Sequence, residues 1–196
     1  MFTPDISFAV GRVARYVDKW CPWAEAELAH LAGYLSITCG LELVMLNAGD
    51  SWDDLLLHAW SDADFNVPKS TTGFYLELVG PKGSQYPLSW GAARQDVTTT
   101  STGESESLAW ATTAKNAIRL AAMVEYTRPN PVEIVGRLDN QAVEQAIRKG
   151  YSQKLGHLKK HAEVSLLFLH ECGIVPNHTP GIHNIADAFT KSPRPQ

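Results

Sequence analysis

Two aspartates, Asp62 and Asp64, stand one residue apart in the segment HAWSDADFNVPKSTTGFY, which is otherwise rich in apolar and aromatic residues. Their spacing first suggests a calcium-binding loop, but Val67 stands where that loop requires glycine, and Gly73 where it requires a bidentate glutamate. The segment instead has the composition of a β-strand, in which both carboxylates lie on one face. Because two like charges on a strand are costly unless water or a cation neutralises them, the pair predicts a cation site.

The helix predicted after Ser101 begins with two acids that differ in the roles available to them. Ser101 and Glu104 form a capping box, so Glu104 has a structural role. Glu106 has no such role and lies about 200 degrees around the helix from Glu104. It stands beside the small residues Ala109 and Thr113, which leave room for a carboxylate to meet the sheet. We therefore favour Glu106 as the second acid of the site.

Two later acids complete the set of candidates. Asp139 lies at the end of the predicted strand VEIVGRLDN, where the strand is followed by a helix. Mixed folds often have catalytic or ligand-binding residues at such junctions. Taken alone, it would serve equally well as the cap of the next helix. Asp187 lies between two alanines in the predicted terminal helix, where a single acid is ordinarily solvated. The four acids together are more informative than any one of them.

The elements that must position these acids follow from hydrophobic periodicity and turn signals. The order of strands and helices predicts an α/β mixed sheet flanked by helices. A polar loop, NAGDSWDD, separates a helical appendage over residues 1–50 from the main domain over residues 51–196. The predicted elements are helices starting near Thr3 and Pro22, a strand LELVML, strands 55–65, 73–79 and 86–91, a helix 103–126, a strand PVEIVGRLDN, helices QAVEQAIRKG and 155–172, a strand GIVPNHT and a short helix IHNIADAFTK.

Composition limits the class of protein. The 196 residues are 44% hydrophobic, which is enough to bury a real core. The three cysteines are Cys21, Cys39 and Cys172, and they form no CxxC pattern. We therefore expect neither a disulfide framework nor a zinc ribbon. A reducing compartment is the expected location of such a chain. We expect neither an export signal nor a membrane span. The net charge of −4 argues against tight independent binding of nucleic acid, but it is compatible with a carboxylate-based nuclease.

Six motifs, in order along the chain, resemble the ribonuclease H region of copia-type retrotransposon polyproteins. SDADF resembles the family's SDADW, KSTTGFY its RxSTxGY turn, SWGAARQ its SWxKQ, TSTGESESLA its SSTEAEYxA, DNQAV its DNxA and ADAFTK its ADIxTK. The segment PDISFAVGRVARYV also resembles the helix that precedes ribonuclease H in those polyproteins. The resemblance thus covers nearly the whole chain. The chain departs from the family at Ser107, where a tyrosine is usual, and at Phe65, where a tryptophan is usual.

The resemblance implies a ribonuclease H-like fold, with a five-stranded mixed sheet flanked by helices and an N-terminal helical appendage. It also implies two bound Mg²⁺ ions, with Mn²⁺ as a substitute, which suits an oxygen-only set of ligands. Asp64 matches a residue recurrent in copia-type sequences only, so we rank it below Asp62. The family's metal-binding acids fall on Asp62, Glu106, Asp139 and Asp187.

A histidine that assists product release is a further implication of the resemblance. The segment VPNHTPGIHNIAD assigns this role to His178, with His183 as the competing candidate. A purely structural histidine is an equally good interpretation of either one.

The implied activity is endonucleolytic hydrolysis of the RNA strand of RNA/DNA hybrids by two-metal catalysis during reverse transcription. The implied partner is the reverse transcriptase domain of the same polyprotein, and we expect a cytoplasmic location within a virus-like particle. Candidate contacts to the hybrid are Ser101, Thr102, Asn140 and Gln141 near the site, with Arg94, Lys115, Arg119, Lys154, Lys159 and Lys160 along the phosphates.

Two other functions remain open from the sequence. The first is a catalytically silent ribonuclease H-like module that acts as a connector or nucleic-acid-binding element of the polyprotein. Retention of four mutually repelling carboxylates disfavours it. The second is a nuclease or recombinase of the same fold that acts on DNA, which the copia-like motifs disfavour.

Overall fold

The strand that carries Asp62 lies at the centre of a five-stranded sheet, in a computed structural model that describes residues 4–66, 68–155 and 166–191. The order across the sheet is β3-β2-β1-β4-β5. The first three strands form an antiparallel meander, whereas β4 pairs parallel to β1 and β5 parallel to β4. The strands are β1 Leu56–Asp64, β2 Thr71–Val79, β3 Gln85–Arg94, β4 Ile134–Leu138 and β5 Asn177–His178.

Helices flank the sheet, as predicted from the order of elements. None of those within the described residues is both long enough and apolar enough to cross a membrane. The α-helices are α1 Ser7–Ala14, α2 Pro22–Ile37, α3 Thr102–Glu125, α4 Gln141–Lys149 and α5 Leu166–Glu171, and 3-10 helices cover Pro4–Ile6, Val17–Lys19, Trp52–Asp54, Gly181–His183 and Ile185–Phe189. The predicted five-stranded mixed sheet with flanking helices and an N-terminal helical segment is confirmed.

The core lies between the sheet and α3. Side chains alternate along a strand, so Leu57 and Ala59 of β1 turn toward α3, while Asp62 belongs to the opposite set. Leu57, Ala59 and Trp110 of α3 are fully buried in one apolar cluster. Gly136 of β4 has no side chain because a Cβ there would collide with the Trp110 ring. This close approach brings α3 against β4 and sets the position of the side chains one turn before Trp110.

The N-terminal segment differs from the sequence prediction in the burial of its apolar residues. α1 packs against β3, and its Val13 is buried. Val17, which continues the helical spacing of the apolar residues Ile6, Val10 and Val13, is 68% exposed, and Leu28 and Leu35 of α2 are also exposed. Periodicity therefore predicted the helices correctly, but not which apolar faces are covered. The division of the chain at residue 50 stays a prediction.

Three predicted elements need correction. LELVML does not form a strand, since only Leu46 makes a bridge, to Gln85 at the start of β3, and the rest of the run is exposed without a partner strand. The last strand contains two residues rather than seven. The terminal helix is a 3-10 helix over Ile185–Phe189, too short for an α-helical face. Of the helix predicted over residues 155–172, Leu166–Glu171 is helical; residues 156–165, with Lys159 and Lys160, lie outside the described residues, as does Thr3.

Candidate active site

Asp62 is buried where β1 is crossed by the last 3-10 helix of the described chain. Its partner in the antiparallel register is Gly73 of β2. A Cβ at Gly73 would lie 2.7 Å from Thr190 Cγ2 and 2.9 Å from the Ala186 carbonyl oxygen, so glycine is required for the 3-10 helix to approach the strand. Asn184 fixes that approach by donating from Nδ2 to the Ser61 carbonyl at 2.9 Å.

Two groups from the end of this 3-10 helix contact the Asp62 carboxylate. The Thr190 hydroxyl donates a hydrogen bond to Asp62 Oδ2. The Lys191 ammonium lies 3.9 Å from the same oxygen and 2.7 Å from Asp187 Oδ1. Burial lowers the pKa of Lys191, but the hydrogen bond to Asp187 and the charges of Asp62 and Asp139 outweigh it and raise the pKa above its usual value. Lys191 is therefore a cation at this site.

The start of α3 holds two glutamates in different roles, as the sequence predicts. The Ser101 side chain caps the helix by accepting from the Glu104 backbone N–H at 3.3 Å. Glu104 reaches back and accepts from the Thr100 backbone N–H at 2.8 Å and from the Thr100 hydroxyl at 2.6 Å, one residue earlier than a standard capping box. The Glu104 carboxylate is thus used in capping the start of α3.

Glu106 turns toward the sheet and is only 4% exposed. One helical turn separates it from Trp110, which packs over Gly136, so the same helix face that fills the core carries Glu106 to the strand end. Its carboxylate accepts from the Ala63 backbone N–H. Oε2, however, is buried and has no hydrogen-bond partner among the residues that the structure describes. Buried polar atoms without a partner are few in folded proteins, and a bound ion is one of the explanations for such an oxygen.

Asp139 follows β4 directly and does not cap the next helix. The cap of α4 is Asn140, whose Oδ1 accepts from the backbone N–H groups of Ala142 at 3.1 Å and Val143 at 3.2 Å. The alternative role of Asp139 as a helix cap is therefore taken by its neighbour. Asp139 is left half-buried at the end of the strand next to β1.

Three of the four predicted acids come together. Carboxylate oxygens of Asp62, Glu106 and Asp139 all lie within 4.8 Å of one another. We call these residues the three-acid cluster. Asp187 lies outside it, with a side chain that is 32% exposed and paired to Lys191, but its charge acts on both Asp62 and Asp139. The cluster is thus buried, and Asp187 lies at its exposed rim.

The three-acid cluster raises the pKa values of its own members. Burial, followed by the charges of Asp62 and Asp139, raises the pKa of Glu106 to about 9. Burial also raises the pKa of Asp62 to about 6, although Thr190 and Lys191 act in the opposite direction. The pKa of Asp139 is raised by burial and by the charge of Asp187. A cation held between the oxygens would favour the charged form of these groups and so lower their pKa values.

The donor set fits a hard divalent cation. All of its ligand atoms are carboxylate oxygens, which Mg²⁺ and Mn²⁺ prefer over nitrogen or sulfur. The unpartnered Oε2 of Glu106 supplies an oxygen already free to bind. The prediction that these acids bind metal therefore agrees with the chemistry of the residues present.

The two candidate histidines lie on different elements near Asp139. His178 belongs to β5, pairs in register with Leu138, and lies near enough to Asp139 for its charge to lower the pKa of that acid. His183 is in the 3-10 helix Gly181–His183. Both side chains are exposed. The charge effect on Asp139 is an argument for His178 over His183, and the role of either histidine in product release stays a prediction.

The predicted nucleic-acid contacts surround the same end of the sheet. Ser101 and Thr102 lie at the N-terminus of α3, Asn140 and Gln141 at the N-terminus of α4, and Arg94 at the exposed end of β3. The Ser101 and Asn140 oxygens are already used in capping. Contact with nucleic acid remains a prediction for all five.

Asp64 is a neighbour of the site rather than a member of the three-acid cluster. It lies at the end of β1, where burial raises its pKa and the nearby Arg15 of the N-terminal segment opposes that rise. Arg15 also donates to the Thr71 hydroxyl at 3.0 Å. This agrees with ranking Asp64 below Asp62.

Sequence reasoning missed Asn184, Thr190 and Lys191 as residues of this site. The motif ADAFTK contains Thr190 and Lys191, and the spacing of four residues between Asp187 and Lys191 is a standard ion-pair spacing, which could have identified the pair. No local signal predicts that the Thr190 hydroxyl reaches Asp62, because the two residues are 128 positions apart.

Two solved structures are similar to this chain. RNase H1 from the halophilic archaeon Halobacterium salinarum has a TM-score of 0.44 and 20% sequence identity, over 68% of this chain and 92% of that chain. LC11-RNase H1, isolated from compost by a metagenomic approach, has a TM-score of 0.47 and 16% identity, over 68% and 91% of the two chains. No family model and no curated protein matches. With TM-scores below 0.5, these likenesses do not decide the function, which depends on the geometry of the acidic site.

Proposed function

We propose that this chain is a metal-dependent nuclease of the ribonuclease H type, which hydrolyses the RNA strand of RNA/DNA hybrids. The observation that carries the proposal is the three-acid cluster itself, with oxygens within 4.8 Å of one another and a buried Glu106 Oε2 that has no partner among the described residues. Strand β1, helix α3 and the end of β4 each contribute one acid, so the whole fold converges on this point. A structural site would have no reason to gather three repelling carboxylates.

The residues that would hold the cations are Asp62, Glu106 and Asp139, with Asp187 at the rim. We propose two Mg²⁺ ions, for which Mn²⁺ can substitute. When bound, such ions supply charge stabilisation at the scissile phosphate and lower the pKa of the attacking water.

The protein's own groups hold the acids in place for this reaction. Thr190 orients the Asp62 carboxylate through its hydroxyl, and Asn184 anchors the 3-10 helix to β1. The Ala63 backbone N–H fixes one side of the Glu106 carboxylate and leaves Oε2 free. At the exposed rim, the His178 imidazole would interact with the departing strand.

A hybrid substrate fits the features around the cluster. Ser101 and Thr102 lie at the N-terminus of α3, and Asn140 and Gln141 at the N-terminus of α4, and their hydroxyl and amide side chains suit contacts to 2'-hydroxyls and sugar edges in a minor groove. Arg94 at the end of β3 would contact a phosphate. With a net charge of −4, the chain would bind the hybrid weakly by itself.

Weak binding is compatible with a tethered enzyme. On the copia-like motifs, we propose that the partner is a reverse transcriptase domain of the same polyprotein, and that the reaction takes place in a cytoplasmic virus-like particle. The exposed apolar residues of α1 and α2 are compatible with burial against such a partner.

The test is a cleavage assay with purified protein and Mg²⁺ on three substrates: an RNA/DNA hybrid, duplex RNA and duplex DNA. We expect cleavage of the RNA strand of the hybrid alone, and a loss of at least about 10²-fold in rate for Asp62→Asn. Preferential cleavage of duplex DNA would instead support the DNA nuclease, and a wild type that binds hybrid without cutting it would support the silent module. Equal rates for wild type and Asp62→Asn would show that the site is wrong.

A further inference from the structure

Lys191 is a cation at the rim of the three-acid cluster. Its Nζ lies 2.7 Å from Asp187 Oδ1 and 3.9 Å from Asp62 Oδ2. Among the ion pairs of the described residues, those that involve Asp62 and Asp187 both come from Lys191. One ammonium group therefore bridges the rim acid and a member of the buried cluster.

The backbone of Lys191 is held in place by a hydrogen bond, whereas its side chain is free to move. Its backbone N–H donates to the Asp187 carbonyl at 3.0 Å, which ties the residue to the end of the 3-10 helix. The side chain is 50% exposed, so the ammonium can move into water without opening a cavity. Thr190 keeps its hydrogen bond to Asp62 from the preceding position. The lysine is thus held next to the acids by a contact that it can release.

A divalent cation would need the same acids. Asp62 belongs to the three-acid cluster and Asp187 lies at its rim, and both interact with the ammonium. A divalent ion among these acids would repel Lys191 and would also replace the charge that it provides. The ammonium and the divalent ion therefore compete for the same negative charge.

We propose that Lys191 is an internal counter-ion that competes with divalent cations for Asp62 and Asp187, and so sets how tightly the site binds them. The inference rests on the proposed function, because it takes these acids as metal ligands. Lys191 acts here as a positioning residue: it lowers the repulsion among the acids before metal binds, and it keeps the affinity for metal lower than four acids alone would give.

The experiment measures Mg²⁺ affinity by isothermal titration calorimetry, in low salt, on protein freed of metal with a chelator. We expect Lys191→Gln to bind Mg²⁺ roughly tenfold more tightly than wild type, and the difference to shrink at high ionic strength. Lys191→Arg keeps the charge and should stay close to wild type. The matched control is Lys149→Gln, which removes an exposed lysine in the last turn of α4, at the opposite end from Asn140, and should leave the affinity within about twofold.

Thermal melts separate this role from a merely structural one. Without metal, Lys191→Gln should melt below wild type, because the acids lose their counter-ion. With saturating Mg²⁺, that deficit should disappear. An equal deficit in both conditions would overturn the proposal, as would an unchanged affinity of Lys191→Gln in a wild-type background that binds Mg²⁺ and cleaves hybrid. A wild type that binds no Mg²⁺ at all would overturn the proposed function as well.

Discussion

Two buried glutamates on the two sides of this sheet show how a structural acid differs from one placed for a ligand. Glu77 of β2 is 6% exposed and Glu106 of α3 is 4% exposed, so burial alone does not distinguish them. The Trp60 indole N–H donates to Glu77 Oε1 at 3.1 Å, and no acid is among the groups that perturb the Glu77 pKa. Glu106 has two acids beside it and an oxygen that has no partner among the described residues. Crowding by like charge and this oxygen are the two features on which the proposed role of Glu106 depends.

The largest expected effect is on catalysis. Glu106→Gln and Glu77→Gln are the same isosteric change at equally buried positions. We expect the first to reduce the rate of hybrid cleavage by about 10³-fold, because a neutral amide cannot replace the carboxylate in the ligand set. The second should stay within about twofold of wild type. Single-turnover cleavage rates measure both, and similar losses in the two variants would remove the distinction between the two acids.

The next effect is on the pH dependence of stability without metal. Glu106 has an ordinary pKa of 4.5 and a pKa of about 9 in the folded protein, so between these values the folded chain binds more protons than the unfolded chain. The free energy of unfolding therefore falls as pH rises through that range. Glu106→Gln should remove this dependence and be more stable than wild type by about 3 kcal/mol at neutral pH.

Urea denaturation with a chelator, from about pH 5 to about pH 8, measures this difference. The gap between Glu106→Gln and wild type should widen as the pH increases. A gap that stays constant over the series would mean that Glu106 is not held protonated in the metal-free fold.

Mg²⁺ should stabilise the protein by a comparable amount. At a free concentration one hundred times its dissociation constant, a ligand that binds only the folded state contributes about 2.7 kcal/mol, which corresponds to roughly 5 to 10 °C in Tm for a chain of this size. We expect this shift for wild type and for Glu77→Gln, and little of it for Glu106→Gln. Thermal melts with and without Mg²⁺ make the comparison, and a full shift in Glu106→Gln would exclude its carboxylate as a ligand.

The smallest effect is expected from Glu77 itself. Burial raises its pKa, and the Trp60 hydrogen bond limits that rise. Stability should therefore fall as pH rises past the ordinary pKa of glutamate, and Glu77→Gln should abolish that decrease, because glutamine carries no charge and can still accept from Trp60. We expect the gain to be smaller than that of Glu106→Gln. The same urea series measures it. A gain as large as that of Glu106→Gln would show that crowding by like charge is not what distinguishes Glu106.

Features set by local pattern were predictable from the sequence. The strands predicted over residues 55–65, 73–79 and 86–91 correspond to β1, β2 and β3 within about three residues, because alternation and turn residues act over short distances. Glu106 was separated from Glu104 by a capping argument that needs only four residues of sequence. The grouping of the acids was predicted from the family resemblance. No local sequence pattern predicts that a strand, a helix and a second strand bring their acids together.

Features set by contact between distant segments were not predictable. The apolar residues of LELVML favour a strand, but only the fold decides whether a partner strand is available, and none pairs with Leu41–Met45 in the described chain. The exposure of Val17 and Leu35 likewise depends on what lies opposite them. Thr190 and Lys191 reach Asp62 only because Gly73 leaves space for the last 3-10 helix.

The closeness of Gly73 to the last 3-10 helix has a consequence during biosynthesis. A ribosome produces Asp62, Glu106 and Asp139 well before it produces Asn184, Thr190 and Lys191. A nascent chain that folds its sheet early brings three acids together while the hydroxyl and the ammonium that moderate them are still inside the exit tunnel. Until residues 190 and 191 have left the tunnel, the acids of such an intermediate lack both of these groups.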